Sequence, residues 1–275
     1  MASLFIMPGG VVLFAGFLGK LSSYFIRVWK KGMQGKGDYS KLSHHVVILG
    51  WQKGHTDRMI ELIFGDVRRE NRDVVLCSPI EMDNPFPDKV HFVRGNLTSD
   101  DVLHRAGVAC ADRVIVFRNS DDETLAACLS ITATHTKAHI VAWFDDPAMA
   151  RLLKKHCPEV ECHSSISIEL LVRSAQDPGS SRLQGQLLST LEGPTQFSIQ
   201  IPSEFGGATF GQVLKYFKIE HEAIALGIAD SFTGDDLQLN PSSAVKVQRR
   251  QIIYYMAEKR IKCQEIDWSS VTQQT

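Results

Sequence analysis

Neither sign of charge dominates this chain: 30 Lys and Arg residues face 31 Asp and Glu, for a formal net charge of -1 at pH 7. There is no basic stripe and no interleaving of basic with aromatic residues, the pattern that neutralises phosphates along a groove, so nucleic acid is not an expected partner. The six cysteines, Cys77, Cys110, Cys128, Cys157, Cys162 and Cys263, lie scattered among apolar residues rather than spaced as a framework. With 275 residues, 44% of them apolar, the chain can bury a core without covalent staples. Reduced, buried thiols in a cytosolic body are therefore expected, and disulfides are not. The sequence also lacks a Walker motif, a nucleophile elbow, internal repeats and low-complexity tracts. Its length leaves room for one or two domains beyond any membrane segment.

The first such segment is conspicuous. From Leu4 to Ile26 the run "LFIMPGGVVLFAGFLGKLSSYFI" has Lys20 as its only charge. At about 1.5 Å per residue it is long enough to span a bilayer core of about 30 Å. A secretory signal carries its positive charge before the apolar core, whereas Arg27, Lys30, Lys31 and Lys36 all follow. That order places the downstream side in the cytoplasm. Residues 1–29 are thus expected as a transmembrane segment and 30–43, "KKGMQGKGDYSKLS", as a juxtamembrane linker without apolar periodicity.

Beyond the linker, short runs rich in Val and Ile recur: "HVVILG" (45–50), "DVVLCS" (73–78), "KVHFVRG" (89–95), "DRVIVF" (112–117), "AHIVAWF" (138–144) and a weaker "EVECH" (159–163). Such runs read as parallel strands buried on both faces. Segments of helical length and pattern separate them at 56–71, 99–106, 121–134 and 146–156. Strict alternation predicts an α/β fold, a Rossmann-like doubly wound parallel sheet over 44–164. After a helical stretch at 165–175, "DPGSS" and "EGP" bracket a short amphipathic run, and the composition then changes. Short strands around one helix predict a small α+β lobe over 195–263, with 165–194 joining the two lobes and 264–275 a polar, flexible tail.

In an open parallel sheet ligands bind beyond the carboxyl ends of the strands. The first strand ends in Gly50-Trp51-Gln52-Lys53-Gly54-His55. A dinucleotide fingerprint needs glycine at the first, third and sixth positions, and only Gly50 fits. The opening amides of the following helix still offer a positive dipole end to an anion. The second strand ends in Cys77-Ser78 where a ribose-binding carboxylate would stand, and one hydroxyl cannot grip a diol in its place. After the third strand come Arg94-Gly95-Asn96, and after the fourth Arg118-Asn119-Ser120-Asp121. Arg94 and Arg118 suit phosphate; Asp121 suits a helix N-cap. Trp51 and Trp143 stand at strand ends, where they could stack on a base or pack on neighbouring loops.

The stretch "GNLTSDDVLHRAGVACADRVIVFRNSDDETLAACL" (95–129) resembles the RCK, or KTN/TrkA-N, regulatory domains of potassium channels and transporters. The resemblance rests on Gly95, Asn96, Thr98, Ala106, Gly107, Val108, Ala111, Asp112, Asp121, Glu123 and Thr124. "IALGI" followed by "LQLNPSSAVKVQRRQIIYYMA" is similar to the TrkA-C (RCK-C) module. The resemblance implies an RCK-N lobe over 44–164, dimerisation helices over 165–194, and an RCK-C lobe over 195–263. It further implies self-association into dimers and a tetrameric or octameric gating ring, a potassium-channel pore as partner, and NAD or an adenine nucleotide as regulatory ligand. The implied location is the cell inner membrane, with the lobes in the cytoplasm and no enzymatic activity. No selectivity-filter sequence occurs in the chain, so it looks like a regulatory portion rather than a pore by itself. Calcium-gated relatives carry an acidic cluster after the second strand. Here Cys77, Ser78 and Pro79 stand there, so no metal site is expected.

Two other readings compete. A membrane-tethered NAD(P)-dependent oxidoreductase would need an acid-base residue in the second lobe, where His221 and Tyr216 are the candidates. A TrkA-like subunit of a potassium transporter would be expected to be soluble. His156, Cys157, Cys162 and His163 lack zinc-site spacing.

Overall fold

In the computed structural model the chain is described over residues 3–68 and 73–272, with side chains described from residue 16 onward apart from 27 and 28. It divides into two compact units, 1–53 with 71–164 and 54–70 with 165–275. In chain order the first elements are α1 (Ser3–Met33), β1 (Val46–Leu49), α2 (His55–Gly65), β2 (Val74–Ser78), β3 (His91–Arg94) and α3 (Asp100–Arg105). Then come β4 (Arg113–Val116), α4 (Asp121–Ala133), β5 (His139–Phe144), α5 (Pro147–His156) and β6 (Glu161–Ser164).

The six strands form one sheet in the order β3-β2-β1-β4-β5-β6, every pair parallel. This is the Rossmann-like arrangement expected, with β1 and β4 meeting where the order reverses. Central β1 is buried throughout because its four residues are all β-branched or leucine and face core on both sides. Strands β4 and β5 depart from the expectation of burial on both faces. Val114, Val116, Ile140, Ala142 and Phe144 are buried with Ala127, Cys128 and Ile131 of α4 and Leu153 of α5. Arg113, Ile115, His139, Val141 and Trp143, on the alternate positions, stay partly exposed.

Helix α1 continues past the expected boundary at residue 29 to Met33. Among the described residues no helix is long and apolar enough to cross a membrane. The span expected over 4–26 lies in large part on 4–15, outside the described side chains. Phe17, Tyr24, Phe25, Ile26 and Trp29 are all exposed. Within the stretch expected as a juxtamembrane linker, residues 33–39 pair with β3 and the loop before it. Lys36 forms an antiparallel bridge with Val93, the Arg94 N–H donates to the Gly35 carbonyl (2.8 Å), and Asn84 N–H donates to Met33 O (2.8 Å). Gly35 is required there, since its φ is +67° and a Cβ would come within 2.6 Å of the Arg94 nitrogen.

The second unit begins with α2, whose sequence position is that of the first crossover helix but whose partners are in 165–275. Asp66 pairs with Arg260, Arg68 with Glu265, and the Thr190 hydroxyl donates to Leu62 O (2.6 Å). Two short helices, α6 (Ser167–Gln176) and α7 (Ser180–Leu188), precede β7 (Thr195–Gln200), β8 (Ala208–Thr209), α8 (Phe210–His221) and β9 (Ile224–Ala229). β10 (Gln238–Leu239), β11 (Lys246–Val247), β12 (Ile252–Ala257) and α9 (Trp268–Val271) complete it. An antiparallel sheet, β10-β9-β12-β7, packs with α8 around Phe197, Phe210, Phe217 and Tyr255, the expected α+β lobe. The flexible tail expected over 264–275 is corrected for 264–272: Ile266 and Val271 are buried in this core, and Trp268 packs edge-on to Phe205. Residues 273–275 lie outside the described residues.

Candidate functional site

Within the first unit the carboxyl ends of four strands are laced together by the backbone. Gly50 N–H donates to Cys77 O (3.0 Å), Gly95 N–H to Ser78 O (3.1 Å), and Phe117 N–H to Leu49 O (3.0 Å). The Gln52 amide nitrogen donates to Arg118 O (2.8 Å). The structure therefore brings Gly50, Gln52, Cys77, Ser78, Arg94, Gly95 and Arg118 into one rim. Gly54 and His55 fall in the second unit.

The glycines earn different explanations. Gly50 is buried with φ +129°, and a Cβ there would lie 1.8 Å from the Phe117 carbonyl oxygen. Its requirement comes from the close passage of β1's end against β4's end. Gly54, at φ +85°, has open space where a Cβ would stand, and its N–H donates to the Asp57 carboxylate (2.7 Å). That carboxylate occupies the first turn of α2 and already complements the positive end of the helix, so the anion seat expected there is partly taken by the chain itself. Lys53 is exposed, and Trp51 half-buried.

The cations are also engaged. Arg94 Nη1 donates to Glu81 (2.8 Å) and Arg118 Nη2 to Glu123 (3.0 Å). Arg118 is the more enclosed, its side chain 10% exposed, whereas the Glu81 side chain is 88% exposed. Glu81, three residues beyond the end of β2, is the residue that faces Arg94 in a cleft also lined by Gln34, Lys36, Met82 and Asp83. Burial pushes the Cys77 thiol up to about 12, which leaves it inert. Ser78 is buried, and its hydroxyl accepts from Ile80 N–H (3.2 Å), so it shapes the turn after β2. Asn96 accepts from Thr98 N–H and its hydroxyl (3.1 and 3.0 Å), holding the turn after β3.

One expectation after β4 is corrected. The N-cap of α4 is Ser120, whose hydroxyl accepts from Glu123 N–H (3.3 Å), not Asp121. Asp121 is the first helical residue, and its two oxygens accept the N–H groups of Asp145 and Asp146 (both 2.8 Å), latching the end of β5 to the start of α4. Asn119 is exposed. In the second unit, the Tyr216 hydroxyl accepts from Asp267 N–H (2.9 Å) and the residue is buried, so it fills a structural place rather than serving as an accessible acid. Among the described residues no group of His, Cys, Asp and Glu is arranged to hold a metal ion.

A cluster that sequence reasoning missed lies on the sheet edge. Glu161 of β6 accepts from His139 (2.9 Å) and His163 (2.8 Å). Hydrogen bonds from both imidazoles hold its carboxyl down at about 2, and the carboxylate in turn raises the His163 pKa. The Glu161 contribution is complete above its ordinary value of 4.5 and is lost as pH falls toward about 2. The His163 contribution is complete below its ordinary value of 6.5 and is lost as pH rises through the raised value. Edge-strand stability should therefore peak between about pH 4.5 and 6.5. Urea midpoints measured across pH should fall on the alkaline side in the wild type, and that limb should flatten in His163→Ala.

With this geometry in view, the comparisons are consistent. The TrkA-N domain model matches residues 80–160. The calcium-gated potassium channel TvoK of Thermoplasma volcanium is 25% identical over 220 residues, which cover 75% of this chain and 61% of the relative. The chain thus spans about three-fifths of that relative's length. The human SLO3 gating ring shares the fold at TM-score 0.57 and 13% identity, over 78% of this chain and 44% of that one. The GsuK channel bound to NAD aligns over 90% of this chain and 43% of its own, at TM-score 0.45 and 16% identity. Together these findings make the chain similar to the regulatory region of potassium channels, with residues 80–160 matching the TrkA-N domain model, and its fold similar to that of a gating ring.

Proposed function

We propose that this chain is the cytoplasmic ligand-sensing part of a potassium channel, anchored at the inner membrane by residues 4–26 and regulating conduction through a bound nucleotide, NAD or an adenine nucleotide. The observation that carries the reading is the rim where β1, β2, β3 and β4 end, joined through Gly50, Cys77, Ser78, Gly95 and Gln52, with Arg94 and Arg118 upon it. Each arginine holds a carboxylate already, so a phosphate would exchange with it. Glu81 is the easier to displace, being almost fully exposed. The domain order we propose is a membrane segment over 1–29, a connecting segment over 30–43, RCK-N over 44–164, dimerisation helices over 165–194 and RCK-C over 195–263.

Self-association is supported by α6, which buries none of its residues and leaves Ile168 and Leu171 over 70% exposed. Ligand control in a ring of such units is a population shift. A tenfold preference for one state supplies about 1.4 kcal/mol per site, so several coupled copies sharpen the response.

The test is thermal stabilisation of the purified chain by NAD⁺, NADH, ATP, ADP, AMP and Ca²⁺. A ligand at about 100 times its Kd should add about 2.7 kcal/mol to the folded state. One nucleotide should raise Tm selectively, and Arg118→Ala should remove the shift. A chain that none of the nucleotides stabilises would overturn the nucleotide reading, and a shift with Ca²⁺ alone would replace it.

A further inference from the structure

We infer that Arg105 is a positioning residue that fixes the segment after α1 to the ligand-facing end of β3. The two carbonyls it holds on that segment are two residues apart, and its third carbonyl is that of Arg94. Its Nη1 donates to Gly35 O (3.2 Å) and Gly37 O (3.4 Å), its Nη2 to Arg94 O (2.9 Å), and its Nε to Asp101 (2.9 Å). The side chain is 20% exposed, so these bonds are largely shielded from water. The main chain of the same residue completes the grip, since Arg105 O accepts from Tyr39 N–H (2.7 Å).

Only a planar fork with several fixed donors can serve three carbonyls and a carboxylate that lie in different directions. A lysine has its three donors at one point. The surrounding backbone is built for this approach: Gly35 and Gly107 both take positive φ, and a Cβ on Gly107 would stand 2.9 Å from Tyr39 O. Tyr39 stacks on His91 at the start of β3, with ring centroids 4.5 Å apart. The buried His45 donates from Nε2 to Ala106 O (2.9 Å), holding the far side of the α3 end.

The consequence is mechanical. Arg94 offers its side chain to the cleft and its carbonyl to Arg105, and its N–H is bonded to Gly35. A displacement of Arg94 therefore reaches residues 35–39 through its own bond to Gly35 and through the bonds that Arg105 supplies. This use of the clamp rests on the regulatory reading above; the clamp itself does not.

Hydrogen exchange on the full chain in detergent micelles tests it. In Arg105→Met, amides of 34–39 and of Arg94 should exchange roughly tenfold faster or more, by local opening, while β1 and β4 amides keep their wild-type rates. Arg105→Lys keeps the charge and loses the fork, and should release the same segment. Unchanged exchange at 34–39 in both variants would overturn the inference, as would a uniform acceleration that includes β1 and β4. Should neither variant fold, the wild type still tests it: exchange at Tyr39 and Arg94 at the rate of open amides refutes the clamp. If the clamp behaves as expected while no nucleotide stabilises the chain, the positioning role stands and its regulatory use falls.

Discussion

Gly50→Ala is expected to destabilise the first unit by about 4 kcal/mol, combining backbone strain of about 1–3 kcal/mol with forced overpacking of similar size. The new methyl would sit 1.8 Å from a backbone oxygen, that of Phe117, and Phe117 cannot retreat without breaking its N–H bond to Leu49 O (3.0 Å). Against a typical total of about 5–15 kcal/mol, the loss would leave the parallel sheet marginal at room temperature. Urea unfolding followed by tryptophan fluorescence reads it, because Trp51 and Trp143 report on the first unit. Gly54→Ala is the control. It shares the positive φ but meets nothing within 4 Å, so only the backbone term of about 1–2 kcal/mol applies. Equal losses for the two variants would mean that β1 can move away from Phe117. The contrast also decides what the glycine is for. A glycine kept for pyrophosphate approach would cost binding when replaced, whereas Gly50 should cost folding before any ligand is added.

The parts of this molecule that were readable from the sequence are those written in repeated residue types. Runs such as Val46-Val47-Ile48-Leu49 have too many β-branched and apolar side chains for a surface and too few residues for a buried helix, so the six-stranded sheet was legible. The second lobe was legible for the same reason: Phe197, Ile199 and Ile201 alternate with exposed positions. What escaped depends on single contacts. A stretch holding Gly32, Gly35 and Gly37 among lysines has the composition of a flexible connector, yet Gly35 is glycine because Arg94 passes so close. The tail carries only a few apolar residues, and nothing in their spacing announces that Ile266 and Val271 fill gaps beside α8. At the candidate site, the residue types were legible and their states were not. Arg94, Arg118 and Asp121 are all where strand ends put them, but each is already bonded to Glu81, to Glu123 or to the Asp145 and Asp146 amides. Such pairings follow from side-chain reach in three dimensions, which period and composition do not encode.

Least legible of all was the allegiance of α2, and it leads to the second large effect. Asp66, just beyond α2, has a side chain 9% exposed and accepts two bonds from Arg260, from Nε at 2.8 Å and Nη2 at 2.7 Å. The same guanidinium lies 4.8 Å over the Phe197 ring, so it is held at its edge by Asp66 and on one face by Phe197, and does not follow a lost partner into solvent cheaply. Asp66→Ala should therefore cost the second unit about 2–3 kcal/mol, because removing one member of a largely shielded pair strands the other charge. Arg260→Met in the same chain should recover part of that loss, giving a coupling of about 2 kcal/mol in a double-mutant cycle. Strictly additive losses would mean that the pair contributes nothing beyond packing. The chain crosses between the units at 53/54 and at 70/71 as well as at 164/165, so segment 54–70 is held covalently by the first unit at both ends and by Asp66 and Arg68 within the second. Freed from Arg260, this segment should gain hydrogen exchange at α2 while the β1 amides keep their protection. If β1 loosens together with α2, then the effect of the pair is not confined to the second unit.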